Sequence, residues 1–241
     1  MLTRQAHRNM VDARNKTSFV SNVSHELKTP LTSIRMYAEL LSENRIKTPE
    51  KQKQYLDVIV SESQRLTRLV NNVLDFSRLE QERKQFQLEV IELGEHLQNL
   101  IEANRLRIQE AGIRIITELP KTLIKIKADR DAIDQIFLNL VENVIKYAAK
   151  GKELMIELAM NESNALLIIS DRGQGIPVEH RRAIFEKFYR IDDSLTTEKP
   201  GSGLGLTIAQ KLAQGLQGTL RFEPRKGSGS SFILELPLVD N

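Results

Sequence analysis

The chain has 241 residues, of which 40% are hydrophobic and 28% charged, and its net charge is +3. This small basic excess does not indicate nucleic-acid binding, and aromatic residues at 5% do not predict a base-stacking surface. The absence of cysteine excludes disulfides, thiolate metal sites and cysteine nucleophiles. No apolar run approaches the roughly 18 residues of a membrane helix, and the N-terminus lacks the apolar core of a signal peptide.

The first 86 residues predict two long helices. They contain no glycine, and their only prolines are Pro30 and Pro49. Apolar residues recur at the helical spacing of three or four, with one longer gap, in Val20, Val23, Leu27, Leu31, Ile34, Ala38 and Leu41, then in Tyr55, Ile59, Leu66, Val70, Val73 and Phe76. Thr48 and Pro49 favour the start of the second helix, so we expect a hairpin with a short loop.

A hairpin of two helices cannot bury an apolar stripe on each helix. A symmetric dimer that forms a four-helix bundle would bury both stripes, and this is the arrangement we expect. Packing of the hairpin on the C-terminal half of its own chain is the alternative.

From about residue 88 the pattern changes to mixed α and β. Strands are predicted at Ile113–Leu119, Leu123–Lys127, Leu154–Met160, Ala165–Ser170, Thr219–Glu223 and Ser231–Leu236. Helices are predicted at 93–111, 129–148 and 203–216, with Gly112 and Gly151 where helices end. Paired strands with few helices predict an α+β sandwich with the helices on one face. The polar residues 192–202 predict a mobile loop.

His25 lies in the first predicted helix but off its apolar stripe, so we expect it to be accessible to solvent. An imidazole of ordinary pKa, about 6.5, is a competent nucleophile at neutral pH. Glu26 could bind the other ring N–H, and Thr29 shares a helix face with His25. Pro30 lacks an N–H, which predicts a bend or loosening just after His25. An ordinary surface histidine is the alternative, and His7, His96 and His180 are interpreted that way.

The segment Asp171-Arg-Gly173-Gln-Gly175 follows a predicted strand. A carboxylate there, followed by small residues, lets a flat ligand approach the backbone closely. The carboxylate can accept a hydrogen bond from an amine such as adenine N6. A tight turn is the alternative interpretation.

A second glycine-rich segment, Gly201-Ser-Gly203-Leu-Gly205-Leu206, opens a predicted helix. Backbone N–H groups at a helix N-terminus bind phosphate, and glycine permits a close approach. A dinucleotide-binding fingerprint is excluded because Leu206 occupies the third glycine position and residues 196–200 do not form a strand. A P-loop is excluded because no Gly-Lys-Ser/Thr follows.

Asn139 and Asn143 lie four residues apart on one predicted helix, and Lys146 and Tyr147 follow on the same side. An asparagine amide oxygen suits Mg²⁺, which bridges to phosphates, and Lys146 offers a positive charge for phosphate. A solvated helix face is the alternative. Together with the glycine-rich segments, these residues predict a pocket for a base, Mg²⁺ and a triphosphate.

In this order, the segments resemble the catalytic core of the sensor histidine kinases of two-component signalling. Residues 19–32 around His25 are similar to the H box of that family, and residues 139–147, 171–175, 185–188 and 201–206 to its N, G1, F and G2 boxes. The resemblance covers about residues 15–237. Lys187 replaces a common proline and Val144 a usual alanine, and neither change removes a functional group.

The resemblance implies a fold of α plus α+β type. Residues 1–80 would form the helical hairpin of a dimeric four-helix bundle, which dimerises and carries the phosphoacceptor histidine. Residues 81–88 would be a hinge, and 89–241 an α/β sandwich ATP-binding domain of the Bergerat type.

The resemblance also implies the activity of a protein-histidine kinase. ATP would phosphorylate His25 in a homodimer, and the phosphoryl group would pass to an aspartate of a response regulator receiver domain. Phosphatase activity on the phosphorylated regulator is implied as well. The cofactors would be ATP and Mg²⁺, and nucleic acid is not an expected partner. The chain would be cytoplasmic, alone or as the cytoplasmic part of an inner-membrane receptor whose membrane segments lie upstream.

The family roles can be placed on single residues. His25 would accept the γ-phosphoryl group, Glu26 would act as general base, and Thr29 would position water for dephosphorylation. Arg190 would steady the γ-phosphate in an ATP lid of residues 185–200. The nucleotide would be held by Asn139, Asn143, Lys146, Tyr147, Asp171, Gly173, Gly175, Phe188, Gly201, Gly203, Leu204, Gly205 and Leu206. Among these, Asn143 would hold Mg²⁺, Tyr147 would contact the base and Asp171 would bind adenine N6.

Two other functions use parts of the same pattern. Chaperone, gyrase and mismatch-repair ATPases share the ATP-binding fold, but they lack a helical histidine in this context. A non-catalytic dimerisation scaffold would have a vestigial pocket, and the presence of Asn143, Asp171 and the glycines of 201–205 argues against it.

Overall fold

The computed structural model describes residues 21, 23–24, 26–43, 46, 48–81, 84–191 and 203–239. His25, Gly201 and the predicted loop 192–202 lie outside the described residues. The chain forms two compact units. The first, here called the helical unit, comprises Met1–Arg78 and Lys187–Leu204, and the second, the sheet unit, comprises Leu79–Glu186 and Gly205–Asn241.

The two predicted helices are present in the helical unit. Helix α1 includes the described residues 21, 23–24 and 26–42, and helix α2 spans Pro49–Glu80. Helix α2 begins at the predicted Thr48–Pro49 pair, where the Thr48 carbonyl accepts a hydrogen bond from the Gln52 N–H at 3.0 Å. The rings of Tyr37 and Tyr55 lie 4.8 Å apart and join the two helices. In the described part of the chain, no helix has the length and apolar character needed to cross a bilayer.

The sheet unit contains seven strands and three α-helices among the described residues. In chain order they are β1 (Glu89–Glu92), α3 (Leu93–Glu110), β2 (Arg114–Glu118), β3 (Lys125–Ala128), α4 (Arg130–Asn143), β4 (Glu153–Met160), β5 (Asn164–Asp171), α5 (Gly205–Gly215), β6 (Thr219–Pro224) and β7 (Ser230–Pro237). Five of the strands form one sheet in the order β2-β4-β5-β7-β6. The β2 strand pairs with β4 in parallel, and the other neighbours are antiparallel.

Alternating burial along the strands shows that the helices cover one face of the sheet. Leu154, Ile156 and Leu158 of β4 are buried, while the residues between them are only half-buried. Each of the three helices buries an apolar stripe, which includes Phe137 in α4 and Leu212 in α5. The predicted sandwich with one helical face is therefore confirmed.

Strand β1 was not predicted, and the start of β3 was predicted two residues too early. The short β1 pairs antiparallel with β3 in a separate two-stranded sheet. Only Ile91 of its four residues is buried, so the strand has no apolar run to reveal it. The β3 strand begins at Lys125 rather than Leu123, whose side chain is exposed.

The prediction of one α-helix over 129–148 was wrong at its C-terminal end. The α4 helix ends at Asn143, and a π-helical segment over Val144–Ala148 follows it. Such segments insert extra residues into a turn and are frequent at functional sites.

The two glycines predicted at helix ends have different roles. Gly112 follows α3 with a φ of 74°, as expected for a helix end. Gly151 is not among the glycines with positive φ, and a Cβ there would overlap the backbone carbonyl of Arg172. Glycine is needed at 151 because two backbones approach closely.

Candidate functional site

Helix α4 holds two buried asparagine amides. The Nδ2 atoms of Asn139 and Asn143 are inaccessible to solvent and have no hydrogen-bond partner among the described residues. Leaving a buried donor unpaired costs about 1–3 kcal/mol, and native proteins seldom do so without a reason. A ligand that accepts hydrogen bonds from both amides would remove this cost.

The N-terminus of α5 lies beside the first of these amides. A Cβ on Gly205 would lie 3.5 Å from the Asn139 Oδ1 atom, so the predicted phosphate-binding helix start and the asparagine pair are adjacent. The first N–H groups of a helix have no partner within it, and they favour an anion. Leu206, the next residue, is half-buried.

The π-helical segment changes the placement of Lys146 and Tyr147. Lys146 Nζ lies 3.7 Å from Glu142 Oε2, and Glu142 also pairs with Arg107. Tyr147 is 44% exposed. Both residues were predicted to share one face of an α-helix with the asparagines. That prediction assumed the α-helical spacing of three and four residues, which does not apply in the π-helical segment after Asn143.

Asp171 ends strand β5 and is a buried carboxyl group, with 5% of the residue exposed. Its Oδ1 atom accepts a hydrogen bond from the Gly173 N–H at 2.6 Å. Burial raises the pKa of Asp171, against hydrogen bonds from Gly173 and Ser230 and the charge of Arg225, which favour the ionised form. Burial therefore disfavours the charged form of this carboxyl group, and the hydrogen bonds from Gly173 and Ser230 fix its orientation.

Gly173 brings the end of β5 against the π-helical segment. A Cβ at this position would lie 2.8 Å from the Ala148 Cβ atom and 2.9 Å from the Asp171 Oδ1 atom. Any side chain would displace one of these neighbours. Thus the predicted base-binding and phosphate-binding segments meet within the sheet unit.

The turn between β6 and β7, together with the first residue of β7, contributes residues that sequence reasoning missed. Ser230 donates hydrogen bonds to the Asp171 carboxylate from its N–H and its hydroxyl. A Cβ on Gly229 would overlap the Asp171 carbonyl oxygen, and one on Gly175 would lie 3.1 Å from the Gly229 oxygen. The glycine- and serine-rich stretch between two predicted strands was the available signal.

Thr207 of α5 also escaped notice. Its hydroxyl is 3.1 Å from the Phe185 carbonyl oxygen and 3.2 Å from that of Glu186, and it donates to both. The Phe185 ring packs edge-on against Phe232 of β7, with 6.4 Å between centroids. The first residues of the predicted lid are thereby bound to the start of α5.

The helical unit contains the other group of predicted residues. Glu26 Oε1 lies 3.8 Å from Arg190 Nη1, and both side chains are largely buried. The Phe188 ring packs edge-on against Phe76 at 5.3 Å, and the Phe188 N–H donates to the Gly203 carbonyl at 3.2 Å. Phe188 and Gly203 both have positive φ. In the same unit, Thr29 is exposed and Leu204 is fully buried.

The surface interpretation of His96 was wrong. Its Nε2 atom lies 2.7 Å from Asp134 Oδ1, and only 10% of its side chain is exposed. This pair joins α3 to α4. Across the described residues, no group of three or more histidines and acidic residues is placed to hold a metal ion.

Two family models match consecutive parts of the chain. Residues 15–82 match the His Kinase A (phospho-acceptor) domain, and residues 128–240 match the histidine kinase-, DNA gyrase B- and HSP90-like ATPase family. The sensor protein kinase WalK of Staphylococcus aureus is 34% identical over 226 residues, which cover 93% of this chain. The chain belongs to the sensor histidine kinases. It spans 54% of that WalK sequence and 37% of the WalK sequences from several other strains.

Solved structures have the same fold. ShkA in complex with AMPPNP is 27% identical, with a TM-score of 0.68 over 92% of this chain and 46% of ShkA. Histidine kinase ThkA in complex with the response regulator protein TrrA is 24% identical, with a TM-score of 0.69 over 96% of this chain and 64% of ThkA. The predictions of a sensor histidine kinase catalytic core and of its fold are therefore confirmed.

Proposed function

We propose that this chain is an ATP-dependent kinase that phosphorylates its own His25 and passes the phosphoryl group to an aspartate of a response regulator receiver domain. The observation that carries the proposal is the pair of buried Asn139 and Asn143 amides without partners, next to the start of α5. Triphosphate oxygens accept hydrogen bonds of this kind. The complex of ThkA with TrrA supports the choice of partner.

The same amides fit Mg²⁺-bound ATP. Each amide presents N–H groups to phosphate oxygens and one oxygen to a cation, and Asn143 is the proposed Mg²⁺ ligand. When bound, Mg²⁺ would neutralise charge on the transferring phosphoryl group. Lys146 and the N–H groups of Gly205 and Leu206 would add positive potential, with Gly201, Gly203 and Leu204 preceding them on the chain.

The base would be bound at the end of β5. The Asp171 carboxylate would accept a hydrogen bond from adenine N6, and its bonds from Gly173 and Ser230 orient it for this. Gly173 and Gly175 let the backbone around Asp171 pack closely against Ala148 and Gly229, and the exposed Tyr147 would cover the edge of the base.

The transfer step is a displacement at the γ-phosphorus. A ring nitrogen of His25 would form the new N–P bond, the bond to the β,γ-bridging oxygen would break, and ADP would leave with that oxygen. Glu26 would take the imidazole proton, and Arg190 would stabilise charge on the γ-phosphoryl oxygens. The contact of Glu26 with Arg190 supports this pairing, because Glu26 follows His25 directly. Phe188, packed on Phe76, would hold the lid segment near them.

The direct test is incubation of the chain with γ-labelled ATP and Mg²⁺. We expect acid-labile label on the chain, as a phosphoramidate requires, and its transfer to a receiver domain. Steady ATP hydrolysis without stable label would instead support the ATPase alternative. Nucleotide binding with neither label nor hydrolysis would support a scaffold.

We also propose that Thr29 positions water when the chain dephosphorylates its partner. Thr29 is exposed on α1, three residues after Glu26, as attack on a partner's phosphoaspartate would require. The cytoplasmic location implied by the resemblance stays a prediction.

Homodimerisation through α2 is a further part of the proposal. Leu56, Val60, Val70 and Leu74 are exposed and fall within about 80° of one another around the helix. An exposed apolar stripe of this length would favour a second copy of the chain, which presents the same stripe.

Charge placed in this stripe is expected to dissociate the dimer. The double variant Leu56→Glu/Leu74→Glu would bury four carboxylates at a symmetric interface, which should weaken dimerisation at least about a hundredfold. Sedimentation velocity across a concentration series measures the effect. Gln54→Glu adds one negative charge per chain on the opposite side of α2 and should leave the dimer intact. A wild-type chain that sediments as a monomer would contradict the interface.

We propose that the flexible part of the predicted hinge at 81–88 is its first part. The Gln87 N–H donates to Asp129 Oδ2 at 2.8 Å, and the Phe86 ring packs against Gly215. Both contacts lie within the sheet unit, so the residues before Phe86 are the proposed flexible part.

Stiffening that part is expected to reduce autophosphorylation about tenfold or more, because His25 and the nucleotide must be brought into line. Alanine at 81, 82 and 83 would extend α2 beyond Glu80. The ATP dissociation constant should not change. Glycine at the same positions is the matched control and should preserve the rate. An equal loss of ATP affinity in the alanine variant would exclude a hinge.

A further inference from the structure

One arginine binds the turn between β6 and β7 to the strands beneath it. Arg225 Nη1 lies 3.0 Å from Glu153 Oε1 of β4 and 3.3 Å from the carbonyl oxygen of Asp171. Its Nη2 atom lies 3.5 Å from Met155 Sδ. Because β7 and β5 separate β6 from β4 in the sheet, the turn and the Arg225 side chain together span these two strands. It is only 16% exposed.

The acidic partner of Arg225 is surrounded by arginines. Burial alone would raise the pKa of Glu153, but the hydrogen bond from Arg225 and the charges of Arg225, Arg172 and Arg114 lower it. Arg172 and Arg114 lie 3.5 Å away and are much more exposed than Arg225. Glu153 is therefore ionised at neutral pH, and Arg225 is its inner partner.

The anchored turn supplies the contacts that orient Asp171. Ser228 Oγ donates to the Gly173 carbonyl, and Ser230 donates to the Asp171 carboxylate. Arg225 closes the turn through its N–H, which donates to the Gly229 carbonyl at 3.3 Å. We call residues Arg225–Ser230 the clasp.

We infer that Arg225 is a positioning residue for recognition of the adenine base. Its guanidinium holds the Asp171 backbone directly. Through Glu153 it also fixes the clasp, in which Ser230 donates to the Asp171 carboxylate and Ser228 donates to the Gly173 carbonyl. The inference rests on the proposed binding of ATP at this site. Arg225 itself touches neither the base nor the phosphates in this scheme.

The test compares Arg225→Met with the control variant Arg114→Met. Arg114 also pairs with Glu153, but its side chain is 73% exposed and, unlike Arg225, it does not contact Asp171. Without nucleotide, hydrogen exchange at Gly173 should be about tenfold faster in Arg225→Met only, because the clasp is released. With Mg²⁺, the preference for ATP over inosine triphosphate, which lacks the N6 amine, should fall about tenfold in that variant. Arg225→Lys should recover part of both effects.

Three results would overturn the inference. They are unchanged exchange at Gly173, equal weakening of both nucleotides, and matching effects of Arg114→Met. Thermal unfolding of each variant reports any general loss of structure, which would change exchange throughout the sheet. A wild-type chain that binds neither nucleotide, with faster exchange at Gly173 in Arg225→Met, would overturn the proposed function and leave the clasp in place.

Discussion

Substitution of His25 by glutamine is expected to abolish acid-labile phosphorylation of the chain. Glutamine has a similar reach and keeps a polar group, but its amide nitrogen is not a nucleophile, so no N–P bond can form. ATP binding should not change, because the residues proposed to hold the nucleotide are others. The measurement is label retained from γ-labelled ATP at neutral pH and lost in acid, with the ATP dissociation constant measured beside it.

The matched control for this experiment is His180→Gln. His180 lies in a short 3-10 helix of the sheet unit, Val178–His180, and has no proposed role. This variant should incorporate label at the wild-type rate. Persistence of acid-labile label in His25→Gln would show that another histidine is the acceptor, and His96, buried against Asp134, would be an unsuitable one.

Asp171→Asn is expected to weaken ATP binding by about tenfold to a hundredfold while making the free protein more stable at neutral pH. The variant loses a charged acceptor for the adenine amine, and a hydrogen bond to a charged group contributes about 1.5–3 kcal/mol. It also removes a buried charge, since burial raises the pKa of Asp171. Isothermal titration with ATP and thermal unfolding without ATP measure the two effects.

The stability difference should depend on pH in a defined direction. With a pKa raised in the folded state, the contribution of Asp171 to stability is greatest below the ordinary pKa of aspartate and is lost as the pH rises through the raised value. Asparagine does not titrate, so the gain in melting temperature should be largest near neutral pH and disappear in acid.

Asp131→Asn removes an exposed carboxylate from the first turn of α4 and is the matched control. It should alter neither ATP affinity nor the pH dependence of stability by a comparable amount. If Asp171→Asn is less stable than wild type at neutral pH, the hydrogen bonds from Gly173 and Ser230 outweigh the cost of burying the charge.

Much of this architecture could be predicted because its signals are local. The helical period of apolar residues predicts α1 and α2, and six strands of the sheet unit were indicated by apolar-rich runs. Both signals arise because one face of a helix or strand is buried, and this burial produces a periodic pattern of apolar residues within a short stretch of sequence. Asn139 and Asn143 were singled out by their spacing of four on one helix, and Asp171 by its place at a strand end before glycines; the structure buries all or part of each one.

Other features depend on residues that are far apart along the chain. The π-helical segment after Asn143 places Ala148 against Gly173, and no local pattern distinguished it from α-helix. Strand β1 exists because β3 supplies its hydrogen bonds, not because its own residues are apolar.

The amino-acid sequence was sufficient for the family, the helices and most of the strands, since each depends on periodicity or on a short motif. The orientation of Asp171 was not accessible in this way. It depends on Ser230 and Arg225, which contact Asp171 from the start of β7 and from the turn, and on Glu153 of β4, which holds Arg225. Hydrogen bonds between distant segments leave no period in the sequence, and they form only where the folded sheet brings their atoms within about 3 Å.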